Sequence, residues 1–223
     1  MPLKISAETF NLIRKFVVVR SDDQALADRT IEYSFVISRL LALPRGKILD
    51  VGCTEANNLI PLVLNESGWD VWGIDGRKFI YENPSFHFML GDIRKTEFID
   101  ANFDYIYAVS TLEHIGLRGR YDVVEDDERG DAKAVKEMRR ILRPNGVLLI
   151  TIPFGVRTVV RPLHRVYEGA QVDTLFSDWN FLEALYYIRR KGTDWKKVSR
   201  NEAEQADYSK GIYGLALLKL APK

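Results

Sequence analysis

Ile48-Leu49-Asp50-Val51-Gly52-Cys53 is the stretch of this sequence that decides the fold. Its apolar residues predict a short buried strand, and Gly52 then lets the backbone turn tightly with no Cβ in the way of a ligand. A strand that ends in a glycine turn is typical of a nucleotide-binding α/β unit. We therefore expect a ligand site just beyond this strand.

Strands and helices alternate on the carboxyl side of this stretch. The predicted strands are Lys47–Val51, Asp70–Ile74, Phe86–Leu90, Tyr105–Val109 and Val147–Ile152, and the predicted helices are Glu55–Asn65 and Asp131–Leu142. Pro144-Asn145-Gly146 is predicted as a turn. Such alternation implies right-handed crossovers and a mostly parallel sheet with helices on both faces.

The two ends of the chain differ from this middle part. Apolar spacing predicts helices over residues 7–43, with a break at residues 21–23. After a short helix at Gly169–Phe176, two long strands at Asn180–Arg190 and Gly211–Leu220 predict an antiparallel edge. The connection between them holds Trp195 and a helix-like segment, Arg200–Ala206. We divide the chain into a helical extension, residues 1–44, and one α/β domain, residues 45–223.

Acidic residues close the second and third strands. Asp75 follows the glycine turn at the spacing of a carboxylate that accepts hydrogen bonds from both hydroxyls of a ribose. Asp92 ends the third strand, where its carboxylate can accept from the exocyclic amine of an adenine. With Asp50, these residues form a negative rim that suits a cation better than a pyrophosphate.

The glycine turn argues against a dinucleotide. A dinucleotide site normally has Gly-x-Gly-x-x-Gly, which brings helix amides to the pyrophosphate. Here Thr54 and Asn57 stand at the later glycine positions. An NAD-dependent oxidoreductase is therefore disfavoured. S-adenosylmethionine, which carries a sulfonium and an ammonium and no phosphate, fits the rim better.

The segment from Lys47 to Pro153 resembles the class I S-adenosylmethionine-dependent methyltransferases. The matching stretches are 48–53, 71–75 (Val-Trp-Gly-Ile-Asp), 89–93 (Met-Leu-Gly-Asp-Ile), 103–115 and 141–153, while residues 53–56 depart from that family's glycine-rich continuation. The resemblance implies a Rossmann-like α/β fold with a mostly parallel seven-stranded sheet and antiparallel C-terminal edge strands. A narrower likeness, over 110–117 and 119–121, is to a subgroup associated with glycans or small molecules.

The resemblance also implies roles for individual residues. Gly52 lies under the methionine part of the donor, Asp50 orients its amino group, Asp75 holds the ribose, and Asp92 with the Ile93 amide holds the adenine. Ser110 borders the donor pocket. Cys53 and Gly76 complete the cofactor-binding set, although the Cys53 side chain itself is expected to be packed and not nucleophilic. Glu32 or Tyr33, upstream of the first strand, is expected to close over the methionine moiety.

Acceptor residues are harder to predict, because in-line methyl transfer requires alignment and a general base only for some acceptors. His114 and His164 are the candidate catalytic residues, each with a packed or solvated residue as the alternative. Arg157 and Arg161, after the fifth strand, and Arg120 and Tyr121, in the insertion before it, are candidate substrate-binding residues. The acidic run 125–131 lacks a supporting histidine constellation, so we expect no metal.

The composition of the chain agrees with this interpretation. The 223 residues carry a formal net charge of +1, which gives no strong nucleic-acid signal. One cysteine excludes an intramolecular disulfide, and no apolar run is long enough for a membrane span, so we expect a cytoplasmic protein. We predict methyl transfer to an oxygen or nitrogen of a small molecule or sugar. The alternative is an inactive methyltransferase-fold module that binds RNA or protein.

Overall fold

The structure is a computed structural model that describes residues 24–54, 59–79, 86–119, 125–190 and 192–223. The helices are α1 (Gln24–Leu40), α2 (Leu59–Glu66), α3 (Gly130–Ile141), α4 (Gly169–Leu175) and α5 (Arg200–Ala203), with short 3-10 turns at Leu112–His114 and Tyr208–Lys210. The strands are β1 (Lys47–Val51), β2 (Asp70–Asp75), β3 (His87–Leu90), β4 (Phe103–Val109), β5 (Leu142–Pro153), β6 (Thr158–Val160), β7 (His164–Val166), β8 (Trp179–Arg190), β9 (Lys196–Val198) and β10 (Ile212–Pro222).

The main sheet has the strand order β3-β2-β1-β4-β5-β10-β8-β9. The first five strands are parallel and the last three join them antiparallel. The winding reverses between β1 and β4, whose carboxyl ends lie side by side with Val51 opposite Ala108. Such a switch point is where an open α/β sheet leaves a crevice for a ligand.

Both faces of the sheet are covered, which explains the apolar composition of its central strands. Along β4, Tyr105 and Tyr107 point into one buried cluster, with α1 and α2, while Ile106 and Ala108 point into the other, with α3. Alternate residues of one strand face opposite sides of a sheet, so both sides must be apolar here.

The sequence of α3 explains why this segment is helical. Ala134, Val135, Met138 and Ile141 recur at helical spacing and are all buried against the sheet. Asp131 in the first turn and two arginines in the last turn complement the helix dipole.

The predicted mostly parallel sheet with antiparallel C-terminal strands is confirmed. It has eight strands where seven were expected, because Lys196–Val198 in the β8–β10 connection pairs with β8 as an outer edge. The residues predicted as a turn, Pro144-Asn145-Gly146, lie within β5 where its register against β4 shifts; Pro144 and Asn145 are exposed and Gly146 is buried.

One further segment differs from the predictions. The stretch after β5, where no strand was predicted, forms the two-stranded hairpin β6–β7. The second predicted N-terminal helix is present as α1, whose Phe35, Val36 and Leu40 are buried against the sheet. The first one, over residues 7–20, lies outside the described residues. Among the residues described, none of the helices combines the length and apolar character needed to cross a bilayer.

Met138→Ala should lower the free energy of unfolding by about 3 kcal/mol, because it empties a fully buried site between α3 and the sheet. Lys136→Ala, on the exposed side of the same helix, is the matched control and should change stability by less than about 0.5 kcal/mol. Urea denaturation measures both. Equal effects of the two substitutions would contradict the packing described for α3.

Candidate functional site

A cleft of about 470 Å³ opens at the carboxyl ends of β1, β2, β3 and β4. Its lining residues are Arg29, Val51, Gly52, Thr54, Ile74, Asp75, Gly76, Arg77, Leu90, Gly91, Asp92, Ile93, Arg94, Ser110, Thr111, His114, Ile115 and Gly116. We call it the first cleft. Most predicted cofactor residues meet here, although they come from four separate strand ends.

Gly52 is required by its backbone conformation and by a close neighbour. Its φ is +84°, in the left-handed region that favours glycine, and its N–H donates to the Ile74 carbonyl at 2.9 Å. A Cβ at this position would collide with the Thr111 hydroxyl. The turn after β1 and the segment after β4 therefore approach each other more closely than any larger residue permits.

Asp75 is buried at the end of β2 and already holds two neighbours. One carboxylate oxygen, Oδ2, accepts from the Thr54 hydroxyl at 2.7 Å and the Thr54 N–H at 3.2 Å. The other, Oδ1, accepts from the Arg77 N–H at 2.9 Å, and the Arg77 guanidinium lies 3.2 Å away. Thr54 thus has a specific role, and it stands where the sequence departs from the glycine-rich pattern.

Asp92 has a more exposed setting on the same cleft. Arg94 binds its carboxylate at 2.7 Å and also reaches Asp127 at 2.9 Å. Partial burial alone would raise the pKa of Asp92, but the hydrogen bonds from Arg94 outweigh it and lower the pKa. Asp92 is therefore an ionised acceptor at neutral pH.

Asp50 lies behind the cleft and is completely buried. Burial raises its pKa well above the ordinary value, the nearby Tyr107 hydroxyl opposes this change, and the charge of Asp75 adds to it. Its Oδ2 has no hydrogen-bond partner among the residues that the structure describes. A buried carboxyl with an unused oxygen beside the glycine turn fits a nearby ammonium group.

Glu32 of α1 is a further buried carboxylate of the site. Its Oε1 accepts hydrogen bonds from the Ser110 hydroxyl at 2.6 Å and from the Thr151 hydroxyl, and its Oε2 binds Arg29 at 3.0 Å. The Ser110 N–H in turn donates to the Thr151 hydroxyl at 3.0 Å. This network, the Glu32 network, joins α1 to the carboxyl ends of β4 and β5.

Ser110 itself is held in a conformation that few residues with side chains adopt. Its φ is +44°, and for a residue other than glycine such a conformation persists only where surrounding contacts compensate for it. The Glu32 network supplies those contacts. Tyr33, the neighbouring candidate, is buried among apolar residues, and burial raises the pKa of its phenol.

A second cleft, of about 410 Å³, adjoins the first. The two share Arg29, Ser110 and His114. The remaining lining residues of the second cleft are Glu32, Glu113, Pro153, His164, Val166, Arg189, Trp195, Ala206, Tyr208, Ile212, Tyr213, Gly214 and Leu215. It is therefore built from α1, the 3-10 turn after β4, the hairpin β6–β7 and the C-terminal strands.

His114 lies at the junction of the two clefts. Its Nδ1 is 2.6 Å from the Leu163 carbonyl oxygen, which can only accept, so Nδ1 carries the proton of the neutral ring. Its Nε2 is 3.7 Å from Glu113 Oε1. His164 also lines the second cleft, and its ring lies edge to face with that of His114, with 6.4 Å between the two ring centroids.

Some predicted site residues lie elsewhere. The Cys53 side chain is fully buried behind the glycine turn, where a Cβ on Gly73 would be 2.7 Å from its Sγ, and burial raises the pKa of its thiol. It does not line the first cleft, so its side chain does not contact a ligand there.

The arginines predicted for the acceptor are not at the second cleft. Arg157 and Arg161 line a separate groove, where Arg157 lies 3.9 Å from Glu168 and Arg161 pairs with Asp126 at 3.1 Å. Arg120 and Tyr121 lie outside the described residues.

The sequence did not predict several other residues that line the two clefts. Arg29, Thr54 and Arg77 carry no motif in the sequence, and their neighbours come from other elements. Trp195 and Tyr208 come from the C-terminal connection, where their spacing gave no signal beyond aromatic content. Within the described residues, no group of three or more histidine, cysteine or acidic side chains is arranged to hold a metal ion.

Sequence comparisons relate this chain to one protein family and to two proteins named as methyltransferases. A family model described as "Caenorhabditis protein of unknown function, DUF268" matches residues 85–220. A protein of Encephalitozoon cuniculi with a provisional methyltransferase name is 29% identical over 90 residues, which are 40% of this chain and only 38% of that relative. An uncharacterized methyltransferase of Staphylococcus carnosus is 26% identical over 174 residues, 76% of each chain.

A solved structure extends the likeness to the whole chain. The 1,6-didemethyltoxoflavin-N1-methyltransferase of Burkholderia thailandensis, with 1,6-didemethyltoxoflavin and S-adenosylhomocysteine bound, has a TM-score of 0.57. The match covers 100% of this chain and 92% of that chain at 14% identity. The Rossmann-like methyltransferase fold expected from the sequence is thereby confirmed.

Glu32→Ala should lower the free energy of unfolding by about 3 kcal/mol, because it leaves the buried Thr151 hydroxyl and the half-buried Arg29 and Ser110 without their acceptor. Glu183→Ala removes a partly exposed ion pair with Arg39 and should cost less than about 1 kcal/mol. Urea denaturation of the two variants separates these values. A loss for Glu32→Ala as small as that for Glu183→Ala would show that the network contributes little.

Asp50→Asn should become more stable relative to the wild type as the pH rises. The folded protein keeps Asp50 protonated to a higher pH than the unfolded chain does, so wild-type stability falls as the pH rises through that interval. Asparagine does not titrate and escapes this loss. Denaturation at pH 5 and pH 8 measures the change, with the exposed Asp178→Asn as the control. Parallel behaviour of the two variants would argue against a protonated Asp50.

Proposed function

This chain belongs to the DUF268 family, and from that premise we propose that it transfers a methyl group from S-adenosylmethionine to a small-molecule acceptor. The observation that carries the proposal is the pair of clefts that share Arg29, Ser110 and His114. In-line transfer needs a donor and an acceptor in contact, and two adjoining clefts provide for both. The names of the compared proteins support the same donor.

The residues of the first cleft fit the donor. Thr54 and Arg77 both donate to the oxygens of Asp75, and a carboxylate oxygen can accept more than one hydrogen bond. Asp75 therefore suits the ribose hydroxyls as well. Asp92 and the Ile93 amide suit the adenine edge, and the exposed Leu90 offers an apolar contact to its face. The unused oxygen of Asp50 suits the donor ammonium, by way of water since Asp50 is buried behind the cleft.

Arg29 supplies a charge that the sequence interpretation had not included. It lines both clefts and binds Glu32. Burial would lower the pKa of its guanidinium, but attraction to Glu32 and Glu113 outweighs burial and raises the pKa. A permanently charged guanidinium at the junction is suited to the carboxylate of the donor.

When bound, S-adenosylmethionine supplies an electrophilic methyl group. The chain then has to orient the acceptor and exclude water, and the second cleft, enclosed by the hairpin β6–β7 and the C-terminal strands, is the proposed acceptor site. The transferred methyl goes to oxygen or nitrogen. The acceptor is a small molecule or a sugar, and a reducing compartment such as the cytoplasm suits the single thiol.

A second candidate function is a methyltransferase-fold module that binds RNA or protein without transferring a methyl group. The observation that favours it is the Asp75 carboxylate, whose oxygens are already occupied by Thr54 and Arg77. A donor that fails to bind at millimolar concentration, together with RNA binding that weakens steeply with salt, would support this alternative over transfer.

Asp75→Ala should weaken the binding of S-adenosylhomocysteine at least tenfold, which corresponds to about 1.4 kcal/mol, because the ribose loses its acceptor. Asp70→Ala, at the opposite end of the same strand, is the matched control and should leave the affinity unchanged. Isothermal titration calorimetry measures both. Wild-type protein that binds no S-adenosylhomocysteine, or Asp75→Ala that binds as well as wild type, would overturn the assignment of the first cleft.

A further inference from the structure

We infer that the second cleft selects planar aromatic acceptors whose methylated atom carries an acidic proton, and that His114 takes this proton. The acceptor class is a phenol-type hydroxyl or a heteroaromatic N–H. This inference rests on the proposed methyl transfer and narrows it, because that function by itself allows sugars and aliphatic amines equally. Three observations support it: the aromatic lining, the orientation of His114 and the charges around it.

The lining offers flat faces on one side of the cleft. His164 and Tyr208 lie edge to face with ring centroids 5.3 Å apart, and Tyr208 meets Tyr213 in the same way at 5.1 Å. The Arg189 guanidinium lies over both Trp195, at 5.1 Å, and Tyr213, at 5.3 Å. Aromatic rings and a guanidinium plane held against each other present faces and edges that favour a planar ligand.

His114 is oriented as a proton acceptor. The Leu163 carbonyl oxygen holds the proton on Nδ1, so Nε2 is the basic nitrogen of the neutral ring. Glu113 Oε1, 3.7 Å from Nε2, stabilises the imidazolium that forms when a proton arrives. His114 lines both clefts, which puts its ring at the boundary where donor and acceptor meet.

The other charged and titratable groups around His114 balance one another. Arg29 and Glu32 of α1 are paired with each other, and Arg165 of β7 binds the Ile115 carbonyl oxygen at 2.7 Å and lies 4.0 Å from Asp131. The His164 ring lies edge to face with that of His114, with 6.4 Å between the ring centroids. Glu113 supplies the carboxylate oxygen that lies 3.7 Å from His114 Nε2.

The strength of this base decides between acceptor classes. An imidazole removes a proton usefully from a phenol, whose pKa is about 10 as in tyrosine, but poorly from a sugar alcohol, which is a far weaker acid. In the proposed step the acceptor O–H or N–H bond breaks and its proton moves to His114 Nε2. The acceptor atom forms a bond to the methyl carbon as the sulfur–carbon bond breaks, and that electron pair stays on sulfur.

The test uses 4-nitrophenol, whose absorbance reports its own ionisation. The full-length protein is first saturated with S-adenosylhomocysteine, which cannot react and lacks the sulfonium charge. At a pH below the solution pKa of the probe, we expect bound 4-nitrophenol to show the nitrophenolate band. The same band should be lost in His114→Gln at matched occupancy, because the glutamine amide accepts no proton.

Matched variants separate the two parts of the inference. His87→Gln replaces an exposed histidine of β3 outside both clefts and should behave as wild type. Trp195→Ala should weaken 4-nitrophenol binding at least fivefold without changing the affinity for S-adenosylhomocysteine. Circular dichroism checks that each variant is folded, and a pH titration of the wild-type complex gives the ionisation of the bound probe without any substitution.

The possible outcomes separate the acceptor class, the role of His114 and the proposed function. If S-adenosylhomocysteine binds but 4-nitrophenol does not, or if methyl α-glucoside displaces it at equal concentration, the aromatic acceptor class is overturned. If the probe ionises equally in His114→Gln, or stays neutral in the wild-type titration, the role of His114 is overturned. If S-adenosylhomocysteine itself does not bind, the failure lies in the proposed function and is recognised as such before the probe is added.

Discussion

The buried carboxylate of Glu32 is the interaction on which the rest of the site depends. It reaches from α1 to the hydroxyls of Ser110 and Thr151, so one side chain ties a helix to two adjacent strand ends. Two of the three residues that the clefts share, Arg29 and Ser110, are its direct partners. A buried charge is expensive unless its hydrogen-bonding capacity is used, and here three donors use it.

The carboxyl groups at the first cleft are solvated differently. Asp92 is partly exposed and ionised next to Arg94, whereas Asp50 is enclosed and burial raises its pKa. The first cleft therefore combines a charged acceptor at Asp92 with a carboxyl behind the glycine turn that keeps its proton to a higher pH. The second cleft is lined by rings and by His114, whose proton position is set by the Leu163 carbonyl oxygen.

Local pattern was sufficient for most of the fold. The apolar runs at Lys47–Val51 and Val147–Ile152 are strands because both faces of the sheet are covered, which their composition already requires. The ninth strand, Lys196–Val198, was not predictable, since three exposed or half-buried residues become a strand only by pairing with the edge of β8. The hairpin β6–β7 is of the same kind: each of its strands has three residues, and neither has a pattern of its own.

The sequence by itself determined the first cleft: a strand, a glycine turn and acidic residues at successive strand ends. Parallel strands bring their carboxyl ends to one edge, so order along the chain is enough to assemble Gly52, Asp75 and Asp92. Only the tertiary structure decided the second cleft. Glu32, His114, Trp195 and Tyr213 come from elements far apart in the chain, and long-range packing, which leaves no periodic signal, sets their distances.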